Sequence, residues 1–445
     1  MNNMRRFFSS PYPRWWLGGS VVVGAALLVF ASGVLSSGCG SPSVSVNPDS
    51  STGGTFVFVP DGGIRSDGLS ERLEDGGLRP LRPPPACTRI GAEVAVTNNP
   101  NGLALVNLRW TGTHYVLVYN ERNEASDARV VSFDKFGKVT AGSDRALEAT
   151  SDGSGISYLT AVTGGLVATW EERGVSPSIR ITKLKLDGSS DGAIVTAASF
   201  ASKEGRPVAA SSGPDLVLAW MDTIDGAPGI YVQLFDPATL QAKGTKFRLP
   251  GSTTHPSIVG TDTGFLISYS QITPAGYEVK QTEYDRTFTE IRSAVLRPLH
   301  PEVGILARSI PTSNGYLTTW EDERNDATEI FVSLNDLMLA PLGNALVQEE
   351  NSGDGNWSHA AWSGDVGAIV FYQFRFGKPA IFLSYVDGKG QRYGGKADLK
   401  VSDTPVESSA RFPDIAWNGE EFGVSWIDGR SGVFQAYFAR VVCTK

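Results

Sequence analysis

Short runs of alternating apolar and polar residues, separated by glycine-containing turns, recur along the chain from about residue 88 to its end. The last copy shows the pattern most clearly. Its apolar runs cover 412–417, 422–427 and 435–442, and they are separated by an Asn-Gly turn and by an Asp-Gly-Arg-Ser-Gly turn. Alternation with a period of two, interrupted by such turns, is typical of antiparallel β-strands. We therefore predict an all-β structure for this part of the chain.

A five-residue strand that ends in an aromatic residue marks each repeat. The seven final aromatic residues are Tyr119, Trp170, Trp220, Tyr269, Trp320, Tyr372 and Trp426. They follow one another at spacings of 51, 50, 49, 51, 52 and 54 residues. A period of this length, made only of strands and turns, is typical of a four-stranded propeller blade rather than of a helical solenoid. We predict a seven-bladed β-propeller of four-stranded antiparallel blades over residues 87–445.

The last repeat contains only three strands before the chain ends, so a closed ring needs its fourth strand from elsewhere. The segment 90–97 resembles the outermost strand of the sixth repeat, 397–402, and is predicted to complete the last blade. Cys87 and Cys443 would then lie side by side. A disulfide between them would close a loop of roughly 355 residues and contribute about 5 kcal/mol in the chain-entropy model. The alternative is two free thiols near the ends of the domain.

Residues 1–39 have the features of an export signal. Three arginines precede a mostly apolar run over 15–35, and small residues lead to Cys39. This end resembles the lipobox of bacterial lipoproteins, which implies that Cys39 is lipidated and anchors the protein to the cell envelope. Ser36 stands where that family usually has leucine. An ordinarily cleaved signal and an uncleaved membrane anchor are the alternatives, and each of the three places the remaining chain outside the cytoplasm.

The segment 40–86 is rich in Ser, Gly, Pro and Asp and contains few large apolar residues. Such a composition cannot form a core, so we predict a flexible tether between the membrane and the propeller. The formal net charge of the whole chain is −8, and its basic residues are dispersed. A nucleic-acid partner is not expected, because binding of that kind needs clustered Lys and Arg.

Acidic residues, often followed by arginine, come directly after most of the marker strands. The pattern Trp-x-Asp-x-Arg is complete at Trp320 and Trp426, where it resembles a repeat of exported bacterial propellers akin to Tol-system and sialidase-like propellers. That resemblance implies the fold but no particular activity. If these residues surround the central funnel, the candidate binding residues are Glu121, Arg122, Glu172, Arg173, Asp222, Asp322, Arg324, Asp428 and Arg430.

A structural role is the other interpretation of these side chains. Each acid would cap its own turn, and each arginine would pair with that acid or with a neighbouring blade. Their recurrence in most repeats favours this interpretation, because a binding site would differ from blade to blade.

No cofactor, metal or catalytic residue is predicted. The four histidines lie in different repeats without metal-ligand spacing, and they are His114, His255, His300 and His359. Of the tryptophans outside the marker strands, Trp110, Trp362 and Trp417 are predicted to pack in the core. Trp357 follows a polar run and is predicted to be a loop aromatic that contacts a sugar or peptide.

The sequence predicts a monomeric, non-catalytic binding or scaffolding module that recognises a protein or glycan through one propeller face. The first alternative is a sialidase-like glycoside-processing enzyme, which would need a unique set of acids and bases contributed by several blades. The second alternative is a purely structural envelope protein. Asymmetry among the blades would distinguish an enzyme from a scaffold, because repeated and mutually paired residues are typical of the latter.

Overall fold

Seven separate four-stranded antiparallel sheets make up the structure, and they are arranged around one axis as a seven-bladed β-propeller. The computed structural model describes residues 87–443 apart from 123–126, 149–152, 203, 225–226, 326, 348–353, 376, 393–397 and 406. The regular structure of these residues is entirely β, and they form no helix that could cross a membrane. The predicted signal 1–39, with Cys39, and the predicted tether 40–86 lie outside the described residues.

Each blade runs from an innermost strand to an outermost strand, with strands numbered along the chain. The innermost strands are β2 (Leu103–Trp110), β6 (Ser154–Val162), β10 (Val208–Ser212), β14 (Ser252–Gly260), β18 (Gly304–Pro311), β22 (Gly355–Trp362) and β26 (Ala410–Trp417). The second strands are β3 (Tyr115–Glu121), β7 (Gly165–Glu172), β11 (Asp215–Ile224), β15 (Gly264–Thr273), β19 (Gly315–Asp322), β23 (Gly367–Gln373) and β27 (Phe422–Asp428).

The third strands are β4 (Ala128–Phe133), β8 (Ser178–Leu184), β12 (Ala227–Phe235), β16 (Gly276–Asp285), β20 (Glu329–Asp336), β24 (Ala380–Val386) and β28 (Gln435–Cys443). The outermost strands of blades one to six are β5 (Arg145–Ala146), β9 (Val195–Ser199), β13 (Ala242–Arg248), β17 (Glu290–His300), β21 (Pro341–Leu346) and β25 (Leu399–Lys400). The outermost strand of blade seven is β1 (Cys87–Ala95).

The innermost strands line the propeller axis. Those of neighbouring blades contact one another around the complete ring, including β26 and β2, which join blade seven to blade one. The second strands are buried on both faces, and four marker indoles are fully buried between blades: Trp170, Trp220, Trp320 and Trp426. Fully burying a large apolar side chain contributes roughly 1.5–3 kcal/mol. The repeated aromatic residue therefore belongs to the hydrophobic core between adjacent sheets.

The predicted closure of the ring is confirmed. Strand β1 pairs with β28 in an antiparallel register from Cys87 opposite Cys443 to Ala95 opposite Tyr437. The two cysteines form a disulfide with a Cα–Cα distance of 4.0 Å. The N-terminal strand thus completes blade seven, so the first and the last described strands belong to the same sheet.

In blade six the structure corrects the sequence-based register by one residue. Phe371, and not Tyr372, lies opposite Phe382, as Trp320 lies opposite Phe331 in blade five. The Phe371 and Phe382 rings stack with centroids 6.2 Å apart, close to the 5.8 Å of the blade-five pair. The sequence marker was displaced because two aromatic residues, Phe371 and Tyr372, are adjacent in this strand.

Candidate functional site at the propeller axis

A residue with a left-handed backbone recurs at or just before the innermost strand of blades three to seven. The five residues are Arg206 (φ 43°), His255 (φ 57°), Leu306 (φ 58°), Trp357 (φ 55°) and Phe412 (φ 51°). In β14, β18, β22 and β26 this residue lies in a β-bulge, where two residues oppose one on the partner strand. Such a backbone costs on the order of 1–3 kcal/mol per residue. Bulges also re-aim side chains and are frequent next to functional sites.

Two buried glutamates accept hydrogen bonds from the left-handed residues of the following blades. Glu171 Oε1 accepts from the Arg206 amide at 2.7 Å, and Glu321 Oε1 accepts from the Trp357 amide at 2.6 Å. Burial raises the pKa of both carboxyl groups, and for Glu321 it raises the pKa to about 7. The hydrogen bond from Trp357 and the positive charge of Arg308 oppose this rise. Glu321 therefore titrates near neutral pH.

A buried histidine–aspartate pair links blades six and seven to blade one. His359 Nδ1 lies 2.8 Å from Asp414 Oδ1, while Oδ2 of the same carboxylate accepts from Asn107 Nδ2 and from the Leu108 amide, each at 2.7 Å. Arg109 Nη1 is 3.5 Å from Asp414 Oδ2. Burial opposes ionisation of Asp414, but these neighbours outweigh burial and hold its pKa below its usual value.

The imidazole of this pair is neutral. Burial, reinforced by the positive charge of Arg308, lowers the pKa of His359 despite the favourable effect of Asp414. Because Nδ1 faces the carboxylate, Nδ1 carries the proton and Nε2 remains an acceptor. Nε2 is buried and has no hydrogen-bond partner among the described residues.

Arg308 and Trp357 lie beside the pair and come from blades five and six. The Arg308 guanidinium is 4.4 Å from the centroid of the Trp357 ring, and its Nη1 donates to the Ser358 carbonyl at 2.8 Å. Its Nη2 and the Trp357 Nε1 are buried and have no hydrogen-bond partner in the described part of the chain. The Trp357 and His359 rings have centroids 6.4 Å apart. We call Arg109, Arg308, Trp357, His359 and Asp414 the axial site.

Hydrogen bonds that involve side chains connect the innermost strands around the axis. At six junctions between neighbouring blades such a bond crosses from one innermost strand to the next. The contacts are Leu159 N to Asn107 Oδ1, Thr160 Oγ1 to the Ala209 carbonyl, Ser309 N to Ser257 Oγ, Arg308 Nη1 to the Ser358 carbonyl, His359 Nδ1 to Asp414, and Leu108 N to Asp414. The groups of the axial site are therefore held by a continuous framework.

In each complete Trp-x-Asp-x-Arg motif, the acid bonds to the indole and to the arginine of its own blade. In blade five, Asp322 Oδ2 accepts from Trp320 Nε1 at 3.3 Å and from Arg324 Nε at 2.8 Å, and the Arg324 guanidinium lies 4.8 Å from the Phe331 ring centroid.

Blade seven repeats this arrangement. Asp428 Oδ2 accepts from Trp426 Nε1 at 3.4 Å and from Arg430 Nη2 at 2.5 Å, and the Arg430 guanidinium lies over Tyr437. Arg430 also pairs with Glu93 on β1. These acids and arginines satisfy one another.

The candidate acids of blades one to three also have partners. Glu121 Oε1 accepts from Asn99 at 2.6 Å and lies 3.5 Å from Arg129. Asp222 Oδ1 accepts from the Ala201 amide at 2.7 Å. Glu172 lies at the end of β7, opposite Ser178.

The candidate arginines of blades one and two face different neighbours. The Arg122 guanidinium lies 5.1 Å from the Phe434 ring centroid of blade seven, and Arg173 Nη2 is 3.6 Å from Glu171 Oε2. None of the nine candidates belongs to the axial site.

The expectation that Trp357 lies in a loop is wrong. Trp357 lies in β22, is 5 % exposed, and packs against Phe412 with ring centroids 5.0 Å apart. The polar run before Trp357 suggested a loop, but β22 already begins at Gly355 and continues through the bulge.

Sequence reasoning also missed Arg308 and Asp414, and it noted His359 only as a histidine without metal-ligand spacing. The sequence did contain one signal for these residues. Arg308, His359 and Asp414 occupy the same position of the repeat, and this position holds a different residue type in every blade.

The remaining histidines do not form a metal site. His114 bonds to the adjacent Thr113, and His255 lies at a bulge. Burial, together with Arg206 and Arg308, keeps the pKa of His255 well below its usual value. The described residues contain no group of three His, Cys, Asp or Glu side chains that could hold a metal ion.

No protein-family model and no curated protein matches the chain. Among solved structures, the chain is similar to the endosialidase of phage phi92 (10 % identity, 81 % of this chain and 69 % of that chain, TM-score 0.47). It is also similar to the β-propeller domain of the Trilobed protease from Pyrococcus furiosus (9 % identity, 76 % and 95 %, TM-score 0.48). A third is the hemagglutinin-neuraminidase of parainfluenza virus 5 (10 % identity, 80 % and 95 %, TM-score 0.44). These similarities carry no inference about activity.

Proposed function

We propose that the protein is an exported, envelope-tethered binding module that recognises an acidic glycan at the axial site. The observation that carries the proposal is the buried Arg308 Nη2, which has no hydrogen-bond partner among the described residues and lies beside the Trp357 ring. A buried guanidinium nitrogen is costly unless it is paired, and a carboxylate is the planar partner that it prefers.

The neighbours of Arg308 favour a sugar acid over a simple anion. His359 Nε2 is a buried acceptor, so it suits a hydroxyl donor rather than a second negative charge. Trp357 Nε1 is a donor without a partner in the described part of the chain, and it suits a ligand oxygen. A carboxylate and hydroxyl groups on one rigid ring, as in an acidic sugar, match these three groups together.

The paired state of the carboxylates supports binding rather than catalysis. Asp414 is surrounded by His359, Asn107, Arg109 and the Leu108 amide, which leaves it poorly suited to act as a nucleophile or a base. The candidate acids of blades five and seven are engaged with their own arginines.

Export is supported by the Cys87–Cys443 disulfide, because disulfides persist mainly in oxidising compartments. The lipid anchor at Cys39 and the tether 40–86 complete the proposed arrangement. The ring of seven blades, closed within one chain, supports a monomer.

Affinity electrophoresis tests the binding proposal. The wild-type protein should be retarded by at least one of polygalacturonate, hyaluronan and polysialic acid, with dextran as the neutral control. A hydrogen bond to a charged group is worth about 1.5–3 kcal/mol, so R308A should weaken binding by about ten- to a hundredfold.

Arg173 provides the matched control, because R173A removes the same charge from an exposed side chain outside the axial site. R173A should keep the wild-type affinity within about twofold, as expected for an exposed charge. Absence of retardation in all three acidic gels, or equal losses in both variants, would contradict the proposal.

A glycoside-processing enzyme is the second candidate, and the pKa of about 7 at Glu321 favours it, since a general acid works best near the ambient pH. Incubation with fluorogenic glycosides of neutral and acidic sugars tests this candidate. If the wild-type protein and R173A release the fluorophore and E321Q does not, the protein is an enzyme rather than a binding module.

A further inference from the structure

Three tryptophans occupy the same position at the ends of the innermost strands in three consecutive blades. Trp362 of blade six, Trp417 of blade seven and Trp110 of blade one each form the last antiparallel pair before the turn to the second strand. Blades four and five hold Gly260 and Pro311 at this position. The aromatic residues therefore form a one-sided arc, which we call the tryptophan arc.

The turns after these tryptophans have the same backbone. Each tryptophan is followed two residues later by a glycine with positive φ, and these glycines are Gly364 (φ 103°), Gly419 (φ 99°) and Gly112 (φ 95°). A side chain at such a φ would be strained, which favours glycine at each turn. The shared turn gives the three indoles equivalent placements within their blades.

The indoles are half-buried rather than enclosed in the core. Trp110 packs on Tyr115 and Trp417 packs on Phe422, each with ring centroids 4.7 Å apart. Trp362 Nε1 donates to Ser313 Oγ of blade five at 3.3 Å. One side of each ring is thus fixed by the protein, and part of the ring remains accessible. Trp110 and Trp362 pack against the hydrophobic core, as expected, and all three indoles also keep a partly exposed surface.

The arc continues into a groove between blades seven and one. The groove has a volume of about 400 Å³ and is lined by Trp110, Thr113, Lys135, Phe136, Asn418 and Glu420, among others. Lys135 Nζ and Glu420 Oε2 are 2.9 Å apart, so the pair carries no net charge. Asp134 also lines the groove, and its Oδ1 accepts from the Phe136 and Lys138 amides. The Phe136 side chain is 56 % exposed beside them.

We propose that the tryptophan arc and this groove bind a neutral oligosaccharide. Pyranose rings present flat C–H faces that pack on indoles, and their hydroxyl groups bond to amide, hydroxyl and carboxylate side chains such as those of Asn418, Thr113 and Glu420. The arc is at the end of the innermost strands opposite to the bulges. The proposal rests on the tryptophan arc and the groove, and it is independent of the acidic-glycan proposal for the axial site.

The chemistry of the surface favours a sugar over a protein. A stable protein interface buries about 800 Å² per partner around an apolar centre. Here the indoles are separated by turns with exposed glycines and polar residues, and the groove beside Trp110 is lined by both polar and apolar side chains. Separate aromatic rings with hydrogen-bonding groups between them suit successive sugar units.

Affinity electrophoresis of the full-length protein tests the proposal with four neutral polysaccharides: hydroxyethyl cellulose, galactomannan, xyloglucan and dextran. At least one should retard the wild-type protein. W417A and W110A should each weaken binding by tenfold or more. W417F should lose less affinity than W417A, because phenylalanine keeps an aromatic face. F374A is the matched control, since Phe374 is 38 % exposed and follows the second strand of blade six, away from the arc.

Far-ultraviolet circular dichroism and thermal melting distinguish lost binding from lost folding. No retardation by any of the four polymers would overturn the proposal, as would equal losses in F374A and W417A. Capture of a protein partner that depends on Trp417, in the absence of polysaccharide binding, would also overturn it and would assign the arc to protein docking.

Discussion

Arg297 of blade four donates from Nε to Oδ2 of Asp322 in blade five at 2.8 Å, and both side chains are completely buried. The same carboxylate accepts from Arg324, so one acid holds two guanidinium groups and joins two blades. The remaining donors of Arg297 reach the carbonyls of Tyr277 and Glu302. Burial opposes ionisation of Asp322, but the two arginines outweigh burial and keep its pKa below its usual value.

Removal of Asp322 should therefore be among the most damaging single changes in the propeller. D322A leaves Arg297 charged, buried and without its acid, and loss of one partner of a buried pair costs about 3–5 kcal/mol. Denaturant unfolding followed by tryptophan fluorescence measures the change.

Asp222 of blade three is the matched control, because it occupies the same motif position and bonds to backbone amides. D222A should cost about 1–3 kcal/mol. Similar losses in the two variants would show that the link between blades four and five contributes little.

The disulfide between Cys87 and Cys443 should stabilise the closed ring. C87S or C443S should lower the melting temperature of the purified protein, and the chain-entropy model assigns the bond about 5 kcal/mol. Differential scanning calorimetry measures the shift. C39S is the control for cysteine substitution, and it should melt like the wild type. Unchanged melting in C87S and C443S would argue against a stabilising closure.

The stability of the propeller should depend on pH through Glu321. Its folded pKa is about 7, against 4.5 for an ordinary glutamate, so the folded state binds the extra proton between these values. Wild-type stability should fall as the pH rises from about 4.5 to 7, and this contribution should be constant above that range.

E321Q cannot lose a proton at this position, so its melting temperature relative to the wild type should rise across the same range. Thermal melts at pH 4.5, 6, 7 and 8 measure this difference, with E407Q at an exposed position as the control. A constant difference between E321Q and the wild type would contradict the raised pKa.

Cys39 should determine whether the protein is recovered in the membrane pellet or in the soluble fraction. If lipid at this residue is the anchor, C39S should move the protein from the membrane pellet to the soluble fraction after cell disruption. A wild-type protein labelled by a clickable palmitate analogue, with no label in C39S, would identify the modification. Retention of unlabelled C39S in the pellet would favour an uncleaved apolar segment.

The blade count and the closure could be predicted because each depends on a local pattern. A final aromatic residue every 49 to 54 residues marks the second strand, and the missing fourth strand of the last repeat indicates the N-terminal segment. The register of blade six could not be predicted, because Phe371 and Tyr372 are adjacent and both are aromatic. Only the pairing with Phe382 shows which ring faces the neighbouring blade.

The axial site could not be predicted from the repeat. Its members come from four blades, and the residues that fill equivalent positions differ in type. Asn107 and Asp414 are 307 residues apart, and they meet only because the ring closes. The bulge at Trp357 had no sequence signal, since a left-handed backbone at a tryptophan is not favoured by the residue itself.

The closure also determines how the domain can be attached to other structures. The chain enters the propeller at Cys87 and leaves it at Cys443, with the two positions side by side on the circumference of blade seven. Both positions lie on the two outer strands of blade seven, away from the propeller axis, at the end of the blade that carries Trp417. A fusion partner joined at either end would therefore sit at the edge, and circular permutants that join these positions and open another blade should keep both faces available.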